Sequence, residues 1–320
     1  MFLIVCKFGG SATTKIEAIK NIKQLCKNKN RKVFIFSAIG KENNFDKKTT
    51  DILLEISQNK NVQKNKKLLL NKFQKLKKIL NININEKYYI NKYINQFNKD
   101  GDTQSLISKG EYLTTLFMSK YLNIKFIPAE KIIFFENNKI NYKKTQNKLK
   151  YFQKKYNRFL TCGFYGQNEF NKIQLFSRGG SDITGAIISK CLSAKIYENW
   201  KDIFGIMQVN PLIMKSKQIK KMNYTDLNIM TYCDANVIHN DCVNILKDNN
   251  ITLKVGNIFD IKSKKTIVSN KTKSVQFVCY KKKENFAVIF YRTKSGELFC
   301  TRCLHNDLYQ TIYKIYQKCC

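Results

Sequence analysis

Two glycine-centred loops hold the residue types best suited to chemistry in this chain. The first is Lys7-Phe8-Gly9-Gly10-Ser11; the second is Phe176-Ser177-Arg178-Gly179-Gly180-Ser181-Asp182, which runs into an apolar helix from Ala186 to Leu192. Each combines a cation, adjacent glycines and a hydroxyl, and the second adds a carboxylate. Glycine lets backbone approach a ligand without Cβ interference. A helix N-terminus offers unpaired N–H groups and a partial positive charge, which suits an anion such as phosphate. A lysine at a strand end beside such a turn can reach a phosphoryl group. Neither loop has the Walker A or G-x-G-x-x-G spacing. Alone, the second also reads as an ordinary glycine turn whose Ser181 or Asp182 caps a helix. Glu111 is the third point of interest. It falls near the apolar face of a helix, where a carboxylate needs either a salt-bridge partner or a ligand ammonium.

The elements that must position these residues alternate. Phe2–Phe8 and Val33–Ser37 are short apolar runs, as expected of parallel strands buried on both faces. A helix is predicted from about Thr14 to Cys26, and Thr49-Thr50-Asp51 precedes another. The pattern from Val62 to Phe97 reads as helical throughout, and Thr103 to Leu122 as one long helix containing Glu111. Lys125–Pro128 and Ile132–Phe135 read as strands, Lys144–Tyr156 as a helix, and Arg158–Phe164 and Ile173–Ser177 as strands leading to the second loop. Ala194–Trp200 is a strand with Lys201-Asp202 at its exit, and Ile251–Val255 is the last of this part. Strands and helices in alternation, with loop chemistry at strand C-termini, predict a three-layer α/β domain. Beyond Asn257 the pattern changes. Thr266–Val268, Ser274–Cys279 and Phe286–Tyr291 read as strands of a separate small α+β unit, or of an add-on layer, closed by a helix over Asp307–Gln317. The predicted division is 1–258 and 259–320.

The chain has 320 residues, a hydrophobic content of 43% and only 2 prolines, which describes a globular protein with ample core. Its net charge of +35 invites a nucleic-acid reading. Against that, only five of the 58 basic residues are arginine (Arg31, Arg158, Arg178, Arg292, Arg302), and the lysines are spread from end to end. Base recognition favours the arginine fork. No signal peptide is evident at Met1–Cys6, and no apolar run approaches the ~18 residues needed to span a membrane. With Cys6, Cys162 and Cys191 inside apolar segments, a reduced, cytoplasmic chain with no membrane partner is expected. Cys300-x-x-Cys303 with His305 nearby is the sole metal-like spacing and lacks a matching pair.

Taken in order, the motifs resemble those of aspartate kinases. Cys6-Lys7-Phe8-Gly9-Gly10-Ser11 is similar to the family's N-terminal Lys-Phe-Gly-Gly-Ser/Thr motif, and Ser177-Arg178-Gly179-Gly180-Ser181-Asp182 to its second. Gly110-Glu111-Tyr112-Leu113 lies between them. Asn199-Trp200-Lys201-Asp202 and Ala235-Asn236-Val237-Ile238-His239 follow in family order. The resemblance implies an αβα sandwich of the amino-acid kinase type with a mainly parallel sheet and an ACT-like C-terminal remnant. It implies phosphoryl transfer from ATP, with Mg²⁺, to L-aspartate, giving 4-phospho-L-aspartate for lysine, threonine and methionine synthesis. Carried over residue by residue, Lys7 stabilises the transferring phosphoryl group, with Gly9, Gly10 and Ser11 beside it, and Asp182 orients Lys7. Arg178 takes the substrate α-carboxylate, Glu111 its ammonium, and Ser37 and Thr50 surround its carboxyl groups. Gly179, Gly180, Ser181 and Asp202 line the nucleotide side. No protein metal site is implied, because Mg²⁺ bridges the ATP phosphates. A homodimer is compatible with the resemblance.

The chain departs from the family pattern at three places. Lys201 stands where a threonine is usual, Asn210-Pro211-Leu212 where Asp-Pro-Arg is common, and Asn236 where some members carry a lysine. The 62 residues after Ile258 are too few for two ACT modules, so weak or absent feedback control is expected. Three other readings stand beside this one: a kinase of the same fold acting on glutamate or acetylglutamate, a lysine-rich nucleic-acid-binding protein, and a decayed kinase fold without activity.

Overall fold

The computed structural model describes residues 2–177, 179–233 and 237–319. β1 (Ile4–Phe8) is buried along its whole length. A 3₁₀ turn over Gly10–Thr13 separates it from α1 (Ile16–Leu25), which starts later than predicted. The hydroxyls of Thr13 and Thr14 bind the carbonyls of Gly10 and Ser11, and Lys15 is extended, so no α-helix starts at Thr14. β2 (Arg31–Phe36) lies parallel to β1.

The helical layer contains α2 (Thr49–Ser57), α3 (Val62–Leu80), α4 (Glu86–Asp100) and α5 (Thr103–Leu122). The single helical run expected over Val62–Phe97 is therefore two helices. Asn81 ends α3 with φ +50°, and the Asn85 side chain caps α4 by accepting from the Tyr88 N–H at 2.9 Å. α5 has the predicted bounds, and Asp102 caps it by accepting from the Ser105 N–H at 2.9 Å.

β3 (Phe135–Glu136) and β4 (Lys139–Ile140) form a small hairpin before α6 (Tyr142–Tyr156). The strands expected over Lys125–Pro128 and Ile132–Phe135 are largely absent. Phe126 makes one isolated bridge to Leu160, and after Pro128, which has no N–H to give a ladder, Ala129–Lys131 coils as a 3₁₀ turn. β5 (Phe159–Cys162) joins the main sheet, and β6 (Tyr165–Gln167) and β7 (Ile173–Leu175) form a hairpin leading to α7 (Gly180–Cys191). β8 (Ile196–Lys201) follows, then the hairpin of β9 (Ile206–Met207) and β10 (Gln218–Ile219). β11 (Lys221–Met222), α8 (Tyr224–Tyr232), α9 (Asn240–Asp248), β12 (Thr252–Asn257) and β13 (Thr266–Val268) complete this part.

The seven-stranded sheet has the order β11-β13-β12-β8-β1-β2-β5, with every pairing parallel except β12 with β13. One face is covered by α6, α7, α8 and α9 through Leu149, Ile187, Leu227 and Leu246; the other by α1 to α5 through Ile19, Ile52, Phe73, Ile90 and Phe117. The predicted three-layer arrangement is the observed one.

β13 corrects one expectation. Thr266–Val268 was assigned to the small C-terminal unit, yet it pairs with β11 and β12 in the central sheet. The small sheet is β14 (Phe277–Lys282), β15 (Ala287–Arg292) and β16 (Leu298–Cys303), antiparallel throughout and packed against α10 (Leu308–Cys319). Its other face joins the main core through Phe277 and Cys279. Arg292 of β15 pairs with Asp226 of α8 at 2.8 Å, and Asp226 is fully buried. Cys300 and Cys303 lie three apart on β16, so their side chains leave opposite faces. Among the described residues no helix is long and apolar enough to cross a membrane.

Candidate active site

The two glycine loops, distant in sequence, meet at the C-terminal edge of the parallel strands, where open α/β sheets bind ligands. Between them lies a cavity of about 510 Å³. Lys7, Gly9, Gly10 and Ser11 line it from the exit of β1, and Gly179, Gly180, Ser181 and Asp182 from the start of α7. Ser37 reaches it from the end of β2, Thr50 from α2, Glu111 from α5 and Asp202 from the end of β8. Arg178, Ala235 and Asn236 lie outside the described residues.

Asp182 is the electrostatic centre. Its carboxylate is buried, pairs with Lys7 at 2.8 Å and Lys201 at 3.4 Å, and accepts from the Asn199 side-chain amide at 2.9 Å. Burial alone would raise its pKa. The charges of Lys201 and Lys7, with the hydrogen bonds of Lys7 and Asn199, outweigh that and hold it well below the usual carboxylate range. Asp182 is therefore an ionised anchor for two ammonium groups. Its position in the first turn of α7 adds the favourable end of the helix dipole.

Strand alternation explains how these groups converge. β1 and β8 pair in register, Lys7 beside Asn199. Asn199 and Lys201 both contact the Asp182 carboxylate, and the Tyr197 hydroxyl donates to the Asp182 carbonyl at 3.4 Å. The intervening Glu198 and Trp200 serve the opposite face. There Glu198 accepts from Arg31 Nε at 2.8 Å and from the Trp200 indole at 3.0 Å.

Glu111 behaves differently. It is buried, and its Oε2 has no hydrogen-bond partner. Desolvation drives its pKa up to about 8, against the lowering influence of the Ala38 N–H and the Lys7 charge. An incompletely satisfied carboxyl on a cavity wall is chemically able to accept a cation.

Close packing leaves no room for a side chain in either loop. A Cβ on Gly10 would lie 2.7 Å from the Ala38 carbonyl, and one on Gly40 2.7 Å from the carbonyl carbon of Gly10. The Gly40 N–H donates to the Gly10 carbonyl at 3.0 Å. Gly179 has φ +66° and abuts His239, where a side chain would collide at 2.5 Å. Several lining residues lack any sequence signal for the site. Lys41 and Lys48 come from the β2–α2 loop, and Phe164, at φ +81°, sits beside Gly180. Lys201, noted in the sequence only as a departure, lines the cavity. Asn199 was visible only as part of a motif.

The sequence model of the amino acid kinase family matches residues 2–257. The chain belongs to that family. Within the amino acid kinase family, its similarity is to aspartate kinases. A curated aspartokinase from Bacillus sp. (strain MGA3) is 25% identical over 278 residues, covering 80% of this chain and 56% of the relative. Aspartokinase 3 of Bacillus subtilis is 34% identical over 82 residues, 25% of this chain and 18% of the relative. The chain thus spans less than two thirds of these curated relatives. Among solved structures, the Clostridium acetobutylicum aspartate kinase superposes with a TM-score of 0.80 at 31% identity, covering 92% of this chain and 69% of that one. E. coli aspartokinase III in complex with aspartate and ADP shares the fold at 17% identity and a TM-score of 0.75, covering 98% and 74%.

Proposed function

We propose that this amino acid kinase transfers the γ-phosphoryl group of ATP to the side-chain carboxylate of L-aspartate, giving 4-phospho-L-aspartate. The observation that carries the reading is Glu111: a buried carboxyl with an unpartnered oxygen, in the same cavity as a pair of ammonium groups. One wall suits a substrate ammonium and the other a phosphoryl group. The similarity to aspartate kinases, one solved with aspartate and ADP, supports the same assignment.

Phosphoryl transfer needs positioning and charge neutralisation more than covalent help. The acceptor carboxylate is already ionised at neutral pH, so no general base is required. Lys7, oriented by Asp182, meets the charge that develops on the transferring group. Gly9, Gly10, Ser11 and the Gly179–Ser181 turn let backbone approach it. Ser37 and Thr50 line the cavity and would take the aspartate carboxyl groups; the family resemblance gives the α-carboxylate to Arg178, which lies outside the described residues. A second cavity of about 450 Å³, lined by apolar side chains such as Ile203, Val209, Met230 and Val278, shares Asp202 with the first. It suits the nucleoside. Mg²⁺ supplies charge neutralisation on the ATP phosphates; Asp182 is already committed to two ammonium groups, whereas Asp202 is exposed where the cavities join. We also place the division between catalytic and C-terminal units after β13 instead of at 258.

Coupled ADP release with ATP, Mg²⁺ and a panel of aspartate, glutamate and N-acetylglutamate tests the reading. Aspartate is expected to be preferred. Preference for N-acetylglutamate, whose acylated amine has no charge for Glu111, would overturn it.

A further inference from the structure

Asp182 has one negative charge and two ammonium partners. One lysine suffices to neutralise it, and Asn199 satisfies a further lone pair. The second lysine leaves a positive surplus on the cavity wall. A surplus charge held in a desolvated wall is costly unless an anion meets it.

Lys201 supplies that surplus from a fixed position. Its ammonium donates to the Val237 carbonyl as well as to Asp182, so its reach does not depend on a flexible stem. Burial depresses its pKa, the Asp182 charge restrains the fall, and the nearby Lys7 charge adds to it. Lys201 also immediately precedes Asp202, the residue common to the polar cavity and the apolar one. A molecule with its base in the second and its reacting end in the first must pass its linking phosphates over this point. No lysine or arginine among the described residues lines the apolar cavity.

We propose that Lys201 is a second phosphate-binding cation, gripping the nucleotide's polyphosphate while Lys7 serves the transferring phosphoryl group. The proposal rests on the kinase reading above. Asp182 then acts as a shared orienter that sets the spacing of two cations. Lys201 enters from β8, the strand next to β1, so both reach the phosphates from the sheet edge.

The test measures binding of Mg-ADP, adenosine and aspartate to the full chain by calorimetry, comparing wild type with Lys201→Met and Lys201→Arg. In Lys201→Met, ADP affinity should fall roughly tenfold to a hundredfold, the range expected for a lost charged hydrogen bond. Adenosine and aspartate should be unaffected, and Lys201→Arg should recover most ADP affinity. Unchanged ADP binding, or equal loss of adenosine and ADP, would overturn the proposal, the latter by showing a purely structural role. A second measurement needs no variant. Acylation of wild-type amines read by mass spectrometry should show Lys201 protected by ADP and by inorganic tripolyphosphate but not by adenosine; equal labelling in all conditions also rejects the proposal. If wild type binds neither ADP nor tripolyphosphate, the kinase reading fails with it. If it binds ADP but not aspartate, only the acceptor assignment fails, and the Lys201 comparison still reads out.

Discussion

Asp182 and Glu111 line one cavity and titrate in opposite directions. Asp182 stays ionised because two lysines face it, whereas Glu111 is pushed up to about 8 because burial dominates and its Oε2 has no partner. A substrate ammonium beside Glu111 would favour its charged form. At pH 7, aspartate binding should therefore release a proton, and affinity should strengthen as pH rises through about 8. Calorimetry in buffers of different ionisation enthalpy reads that proton directly. The stability sign is the reverse. A carboxyl whose folded pKa exceeds the unfolded value of 4.5 makes the empty fold less stable as pH rises from there to about 8. Glu111→Gln should accordingly raise the melting temperature of the unliganded protein by an amount that grows across that window. The same change should weaken aspartate binding roughly tenfold or more. Lys7→Met should lower turnover by at least about a thousandfold, the scale of losing a principal charge-stabilising group. The variant should stay folded, because Lys201 still neutralises Asp182. Circular dichroism together with ADP release checks both halves. Turnover at the wild-type rate would remove Lys7 from the mechanism.

At the scale of elements, the legible parts were those whose signal is local. β1, β2, α5 and α7 could be read because buried strands and amphipathic helices advertise themselves in composition and period. The twelve described candidate residues come from six chain segments, and motif order linked them before geometry did. Other features depend on distant partners. In sequence, Ala38-Ile39-Gly40 reads only as a turn after β2, yet the space Gly40 leaves is filled by Gly10 and Ser11 backbone. Gly40→Ala should cost about 1–3 kcal/mol, as overpacking does, and shift the Ser37–Lys41 loop. Chemical denaturation and the KM for aspartate measure the two effects. β16 escaped notice because Leu298, Phe299 and Cys300 are all exposed, which erases the two-residue alternation. β13 has only three residues, too few for its pattern to say which sheet it joins.

At the scale of the whole molecule, the C-terminal sheet is fastened to the main body by both packing and charge. Phe277 and Cys279 enter the main core, and Arg292 compensates the fully buried Asp226. Arg292→Met should destabilise the protein by about 3–5 kcal/mol, because it strands a buried carboxylate. Urea denaturation checks it, and a change below 1 kcal/mol would mean that Asp226 finds another partner. The sheet joins the two active loops more subtly. Along β8, Asn199 and Lys201 address Asp182, and Glu198 and Trp200 address Arg31's side. This makes β8 a text with a reading frame of two. One extra codon ahead of Ile196, followed by a one-residue slip of the strand, would swing the Glu198 carboxylate toward Asp182 and the Lys201 ammonium toward Arg31. Like charges would then meet on both faces of the sheet. Evolution can respell this strand letter by letter, but it cannot easily shift its phase.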